Sequence, residues 1–188
     1  MLQIKEKLTE ALSRINFIFQ NKNIITECIQ DHKEISLFDT KLGPFKKGKK
    51  YSLKFFIAAH LIKKDILKIS SEERYDNVVV QRFAMRERDD QQLKELEDKL
   101  FLNKIKEHKK FIKKALQEGK IPKLNYDKFN SYMANLIDSR LLKLLRLGSI
   151  DLSVEDEHRL TDSEKLFYTQ ISKLIKAWRT FFLSNKES

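Results

Sequence analysis

The sequence predicts an α+β fold that is predominantly α, with a small N-terminal α/β domain followed by a larger helical domain. Its 188 residues include only four Gly and two Pro, which argues against an all-β or loop-rich chain. Residues with high β propensity cluster before Ile69. From about Gln81 onward, apolar residues recur every three or four positions, as they do along one face of an α-helix. A chain of this length can bury a real core.

Residues 1–22 are predicted to form an N-terminal helix, because their apolar residues are spaced by three and four: Ile4, Leu8, Leu12 and Ile15. A small α+β domain of about three strands and one helix is predicted for residues 23–70. Its first two strands are Ile24–Ile29 and Glu34–Phe38, joined as a hairpin. A helix over Ser52–Lys64, with Ser52 as its N-cap, is predicted to cover these strands and a third strand at Ile66–Ile69.

Residues 71–80 are predicted to be a polar connector. Ser70 or Ser71 starts a turn of helix in this prediction, and Val78–Val80 forms either a strand or a buried connection. The helical domain follows at residues 81–188. Its first apolar stripe ends at Gly119, a suitable residue to follow a helix, and is formed by Leu93, Leu96, Leu100, Ile105, His108, Ile112 and Leu116.

Two more helices complete the predicted helical domain. Asn125 or Asp127 is expected to cap the first of them after Pro122, and Gly148 closes it. An acidic loop leads to the last helix, where Thr161 and Glu164 form a Thr-x-x-Glu capping box.

The predicted helices carry five candidate interface residues. Arg140 and Leu144 share one apolar stripe, and a buried arginine needs a carboxylate or carbonyl partner from this chain or from a neighbour. The last helix ends in the aromatic residues Trp178, Phe181 and Phe182, which either pack on the chain's own helices or form a subunit interface.

The net charge of +11 is concentrated in two blocks. Lys41–Lys68 contains nine Lys and one acidic residue, and Lys99–Lys123 contains nine Lys and two acidic residues. Such blocks suit a solvated surface, a phosphate backbone or an acidic protein partner. The predominance of Lys over Arg favours diffuse attraction over sequence-specific recognition. The candidate contacts with a partner or with DNA are Lys46, Lys47, Lys49 and Lys50.

The sequence contains no recognisable catalytic or metal-binding arrangement, so we expect a non-enzymatic protein without cofactors. The four histidines are dispersed, and none has a Cys or His at metal-ligand spacing. Gly43 to Lys50 superficially resembles a phosphate-binding P-loop, but Pro44 lacks an N–H group and Tyr51 replaces the required Ser or Thr. The single cysteine, the absence of a long apolar run and the charged N-terminus favour a cytoplasmic protein without a membrane span.

One segment of the N-terminal half has a distinctive order of parts. Gly43-Pro44-Phe45, followed by Gly48, precedes a short helix that is rich in large apolar residues and ends in lysines, and a strand follows. Two further patterns lie in the helical half. Asp138, Arg140 and Lys143 form an Asp-x-Arg-x-x-Lys pattern, and a Leu-Thr-x-x-Glu pattern begins at Leu160.

These patterns occur in the same order as in subunits of the GINS DNA-replication complex, which the chain resembles over about Asn23–Phe182. The small α+β domain corresponds to the B domain and the helical domain to the A domain, as in the archaeal B-then-A class. The sequence departs from the family at Leu53-Lys54-Phe55, where a Pro-Leu-Trp triplet is common.

The resemblance implies a structural subunit that forms a 2:2 heterotetramer with an A-then-B partner. It also implies that the complex links the MCM helicase to a RecJ-like, DHH-family protein, stimulates the helicase and acts at the archaeal chromosome, with DNA as a further candidate partner. The residues leave two other functions open. One is a stand-alone basic helical protein that binds nucleic acid, and the other is a helical adaptor unrelated to replication.

Overall fold

The computed structural model describes residues 2–37 and 40–183, and it confirms an α+β fold in which helices predominate. Its contacts divide the chain into a small unit, Asn16–Arg74, and a helical unit, residues 2–15 and 75–183. The predicted N-terminal helix is confirmed as α1, Leu2–Gln20.

The small unit is built on a three-stranded antiparallel sheet. β1 (Asn23–Cys28) is its central strand, flanked by β4 (Lys50–Lys54) and β5 (Leu67–Ile69). Helix α2 (Phe55–Lys63) packs against all three strands, as predicted for a helix covering a sheet. The core beneath it consists of Cys28, Phe45, Leu61, Ile66 and Leu67.

The predicted hairpin is wrong, although the three-stranded sheet is confirmed. β2 (Ile35–Leu37) pairs with β3 (Thr40–Leu42) in a separate two-stranded ribbon, and Phe38 lies outside the described residues. The strand beside β1 is instead β4, whose side chains alternate between exposed and half-buried. Because Ser52 lies within β4, it does not cap α2; Lys54 precedes that helix and makes no side-chain cap bond.

The helical unit contains α3 (Asn77–Asp89), α4 (Phe101–Gln117), α5 (Lys123–Leu147), α6 (Val154–Arg159) and α7 (Asp162–Leu183). Helices α3 and α4 pack against the long α5, as does α7. The largest core cluster consists of Tyr75, Val80, Phe83, Ala84, Leu96, Phe101, Ile105, Phe129 and Leu136.

The segment between β5 and α3 differs in part from the predicted polar connector. A 3₁₀ turn at Ser71–Glu73 confirms a helical turn beginning at Ser71. The predicted strand or connection at Val78–Val80 is wrong, because α3 already begins at Asn77. The Asp76 carboxylate accepts hydrogen bonds from two backbone N–H groups of the first turn and so caps the helix.

The predicted apolar stripe is helical only from Phe101 onward. Residues 90–100 are irregular, yet Leu93, Leu96 and Leu100 are buried there. The helix end is confirmed. Gly119 has a φ of +68°, and the N–H of Lys120 donates to the carbonyl of Ala115, as in a Schellman motif.

The predicted caps of α5 are wrong, because α5 begins at Lys123, directly after Pro122. Proline has a φ close to helical values and no N–H to leave unsatisfied, so a helix can start beside it. The end of α5 at Gly148 is confirmed. The predicted acidic loop contains α6, whose N-cap Ser153 accepts a hydrogen bond from the N–H of Asp156 at 3.0 Å.

Candidate functional site

Arg140 is the centre of a buried ion network in the helical unit. It lies on α5 with 1% of its side chain exposed. Its Nε donates to Oε1 of Glu164 on α7 at 2.5 Å, and an Nη donates to Oε2 of the same residue at 2.8 Å. The other Nη donates to Oε2 of Glu87 on α3 at 2.8 Å. Arg140 therefore joins three helices.

Backbone carbonyls complete the coordination of this guanidinium. The carbonyls of Lys94 and Arg159 accept its remaining hydrogen bonds at 2.8 and 3.0 Å. All five N–H donors of Arg140 are thus used. Burial by itself lowers the pKa of Arg140, but hydrogen bonds and charge from Glu164 and Glu87 outweigh it, so the pKa lies above its ordinary value.

Lys143, one turn further along α5, provides the second cation. Its Nζ donates to Oε1 and to the carbonyl of Glu87, each at 2.5 Å, and to the carbonyl of Gln92 at 2.9 Å. Glu87 also accepts a bond from the N–H of Lys94 at 3.2 Å. These contacts fix the irregular segment 90–100 against α3 and α5.

The predicted capping box is confirmed and belongs to the same network. The N–H of Thr161 donates to Oε2 of Glu164 at 2.9 Å, and the N–H of Glu164 donates to Oγ1 of Thr161 at 3.4 Å. Glu164 therefore caps α7 and binds Arg140 with one carboxylate.

The network joins the two patterns that the sequence shows in this half. Arg140 and Lys143 come from the first pattern, while Thr161 and Glu164 come from the second; Asp138, also of the first, is exposed. The network's two carboxylates offset its two cations, and Arg140 has no free donor for a substrate. We conclude that the ion network holds α3, α5 and α7 together.

Two predicted interface residues are interior residues of the helical unit. Arg140 and Leu144 are 1% and 3% exposed, and the carboxylates that Arg140 requires come from this chain. Neither residue lies on a surface that another subunit could contact while the unit stays folded.

The other three predicted interface residues lie on a surface. We call Leu174, Trp178, Phe181, Phe182 and Leu183 the aromatic end of α7. Each is at least half exposed, and Phe181 is 78% exposed. Ile175 lies against Gly148 at the end of α5, whereas every residue from Lys176 to Leu183 is exposed. The rings of Trp178 and Phe181 both contact that of Phe182, with centroids 5.1 and 5.0 Å from it.

The four predicted contact lysines, here called the loop lysines, are all exposed. Lys46, Lys47 and Lys49 lie on the loop before β4, and Lys50 is the first residue of β4. Lys50 forms an ion pair with Glu72 at 2.5 Å. Beneath the loop, Phe45 is buried and packs edge-on against Tyr51 at 5.0 Å.

The backbone of this loop is not free to bind phosphate. The N–H groups of Lys46 and Lys47 donate to the Tyr51 hydroxyl and to the Asp31 carboxylate at 2.8 and 2.6 Å. Those of Gly48 and Lys49 donate to backbone carbonyls at 2.8 and 3.1 Å. These bonds leave none of the four N–H groups to hold a nucleotide phosphate, so the lysine side chains are the groups of this loop that could attract a phosphate.

Sequence reasoning did not place Glu87 in the ion network, and it named Lys143 only as part of a pattern without predicting its burial. Glu87 follows Val80, Phe83 and Ala84 at helical spacing, so it lies on the apolar face of α3. Lys143 lies three residues after Arg140, on the same face of α5. A charged residue on an apolar face indicates a buried partner, and here the signal occurs on both helices.

Within residues 2–37 and 40–183, no three His, Cys, Asp or Glu side chains are grouped as metal ligands would be. None of the helices in this part of the chain combines the length and apolar character of a membrane-spanning helix. No protein-family model matches the sequence, and comparison with curated proteins gives no match either.

Proposed function

We propose that the chain is a non-enzymatic structural subunit of a GINS-type DNA-replication complex, of the B-then-A class. The observation that carries this proposal is the bond between Arg140 and Glu164. These two residues belong to the two separate patterns on which the resemblance rests. Their hydrogen bonds join α5 to α7. The order of a small sheet unit followed by a helical unit also supports the proposal.

The proposed partners are an A-then-B subunit in a 2:2 heterotetramer, the MCM helicase and a RecJ-like, DHH-family protein. A subunit without an active site can raise helicase activity only by binding one conformation of the helicase more tightly than another. We place the complex in the cytoplasm of an archaeal cell, on its chromosome.

The aromatic end of α7 is the proposed site for the partner subunit. Large aromatic side chains supply much of the binding energy in protein interfaces, and monomeric proteins seldom expose several of them together. In the described structure, Trp178, Phe181 and Phe182 are each more than 60% exposed.

The test is purification of the tagged full chain from native extract of its source, followed by mass spectrometry. We expect the eluate to contain an A-then-B GINS subunit in stoichiometric amount, together with MCM and a DHH-family protein. A variant with three changes at the aromatic end should lose the A-then-B subunit: Trp178→Ser, Phe181→Ser and Phe182→Ser.

A matched control removes exposed apolar groups elsewhere. Val78 and Val154 are 71% and 74% exposed, so the variant Val78→Ala with Val154→Ala should retain every partner. Recovery of the chain without a GINS subunit would overturn the proposed function. Retention of the A-then-B subunit by the aromatic-end variant would overturn the proposed site alone.

A further inference from the structure

Helix α4 has one strongly basic face, which we call the α4 lysine face. It consists of Lys106, Lys109, Lys110 and Lys113. At about 100° per residue these four positions lie within about 100° of arc, and they span about 10 Å along the helix axis. Lys106, Lys110 and Lys113 are exposed, and Lys109 is half-buried. The opposite side of the helix, including Phe101 and Ile105, lies in the core.

Most of the charge on this face is uncompensated. Among described residues, Lys106, Lys109 and Lys113 have no ion pair. Lys110 pairs at 2.7 Å with Glu107, whose side chain is only 5% exposed. The other acidic residue of this region, Glu118, lies beyond the end of the helix, between Lys114 and Lys120 at 3.1 and 2.8 Å.

The composition of the face favours a polyanion over a protein. None of the large apolar side chains of α4 is exposed, in contrast to the aromatic end of α7. The cores of protein interfaces are depleted in Lys and enriched in aromatic residues and Arg. A row of flexible ammonium groups instead suits a line of phosphates, which carry one charge per about 1.7 Å in a DNA duplex.

We propose that the α4 lysine face binds the phosphate backbone of double-stranded DNA without reading its sequence. Lys is a point charge without the planar fork that reads base edges, so the contact carries no sequence preference. Because no exposed aromatic residue of α4 is available for base stacking, a duplex binds more tightly than a single strand of equal length. The site does not depend on the proposed assembly, since every residue of it lies on one helix.

The test is fluorescence anisotropy of the full chain with a labelled DNA duplex across a range of salt concentrations. The test variant neutralises the three lysines without an ion pair: Lys106→Gln, Lys109→Gln and Lys113→Gln. The slope of log K against log salt is negative, and each lost phosphate contact makes it shallower by about 0.9. Between about 50 and 200 mM salt, the wild type should therefore lose roughly 40-fold more affinity than the variant.

A charge-matched control removes three exposed lysines from other helices and should keep the wild-type slope: Lys5→Gln, Lys7→Gln and Lys173→Gln.

Mass spectrometry of lysine acetylation provides a second measurement, which needs no variant. Saturating duplex should protect Lys106 and Lys113 and leave Lys5 reactive.

Any one of the following results would overturn the proposal. The first is the absence of duplex binding by the wild type at about 50 mM salt, where such contacts are strong. The second is an equal salt slope for the test variant and the wild type, or equal acetylation with and without DNA. The third is binding of poly-glutamate of equal charge as tightly as the duplex, which would assign the face to an acidic protein instead.

Discussion

Replacement of Arg140 by alanine should destabilise the helical unit severely, because it removes five hydrogen bonds and leaves two carboxylates buried. Removing one member of a buried ion pair costs about 3–5 kcal/mol in the free energy of unfolding. Glu87 keeps its two-point contact with Lys143, and Glu164 keeps the Thr161 cap. We therefore expect a loss of roughly 2–4 kcal/mol.

Thermal unfolding followed by far-ultraviolet circular dichroism measures this loss. For a chain of this size, the expected change lowers the melting temperature by about 4–16 °C. Arg140→Lys should recover only part of it, because a single ammonium cannot bind both carboxylates and both carbonyls. The control Arg146→Ala removes an exposed arginine from the same helix and should melt like the wild type. Wild-type melting of Arg140→Ala would refute the assignment of Arg140 as the joint between α3, α5 and α7.

Three further predictions follow from other contacts. The ammonium of Lys176, 2.6 Å away, lowers the pKa of the exposed Asp151 below its ordinary 3.8. The ion pair of Asp151 therefore stabilises the folded chain above pH 3.8, and this stabilisation is lost as the pH falls through the lowered pKa. In acid, the melting temperature of Asp151→Asn should therefore fall less than that of the wild type. Thr161→Ala should cost about 1–2 kcal/mol, and a double-mutant cycle with Arg140→Ala should be non-additive because both residues bind Glu164. Neutralising the four loop lysines should weaken assembly with the partner in pull-down assays and make that assembly less sensitive to salt, while DNA binding barely changes. Loss of binding to single-stranded DNA in this variant would contradict the prediction.

The parts of the fold that were predictable are those in which local sequence and tertiary contacts agree. The Thr161–Glu164 box and the turn at Gly119 depend on interactions within a few residues, so the local sequence determines them. The buried position of Arg140 was predictable for a related reason, since a charge within an apolar stripe must face the core.

The errors arose where distant residues decide the structure. Lys50–Lys54 forms a strand because β1 offers it a hydrogen-bonding edge, whereas its residues taken alone also suit the start of a helix. Residues 90–100 show helical apolar spacing but remain irregular, since Arg140 and Lys143 bind the carbonyls of Lys94 and Gln92. The partners of Arg140 lie 53 and 24 residues away in the sequence, and no local pattern pairs them.

We propose that the chain requires a partner subunit over the aromatic end of α7. Sedimentation velocity of the purified full chain at micromolar concentration tests this most directly. We expect the wild type to sediment above the mass of one chain or to aggregate, and the variant Trp178→Ser, Phe181→Ser, Phe182→Ser to sediment as a single chain. A wild type that remains a clean, stable monomer across this concentration range would contradict the account.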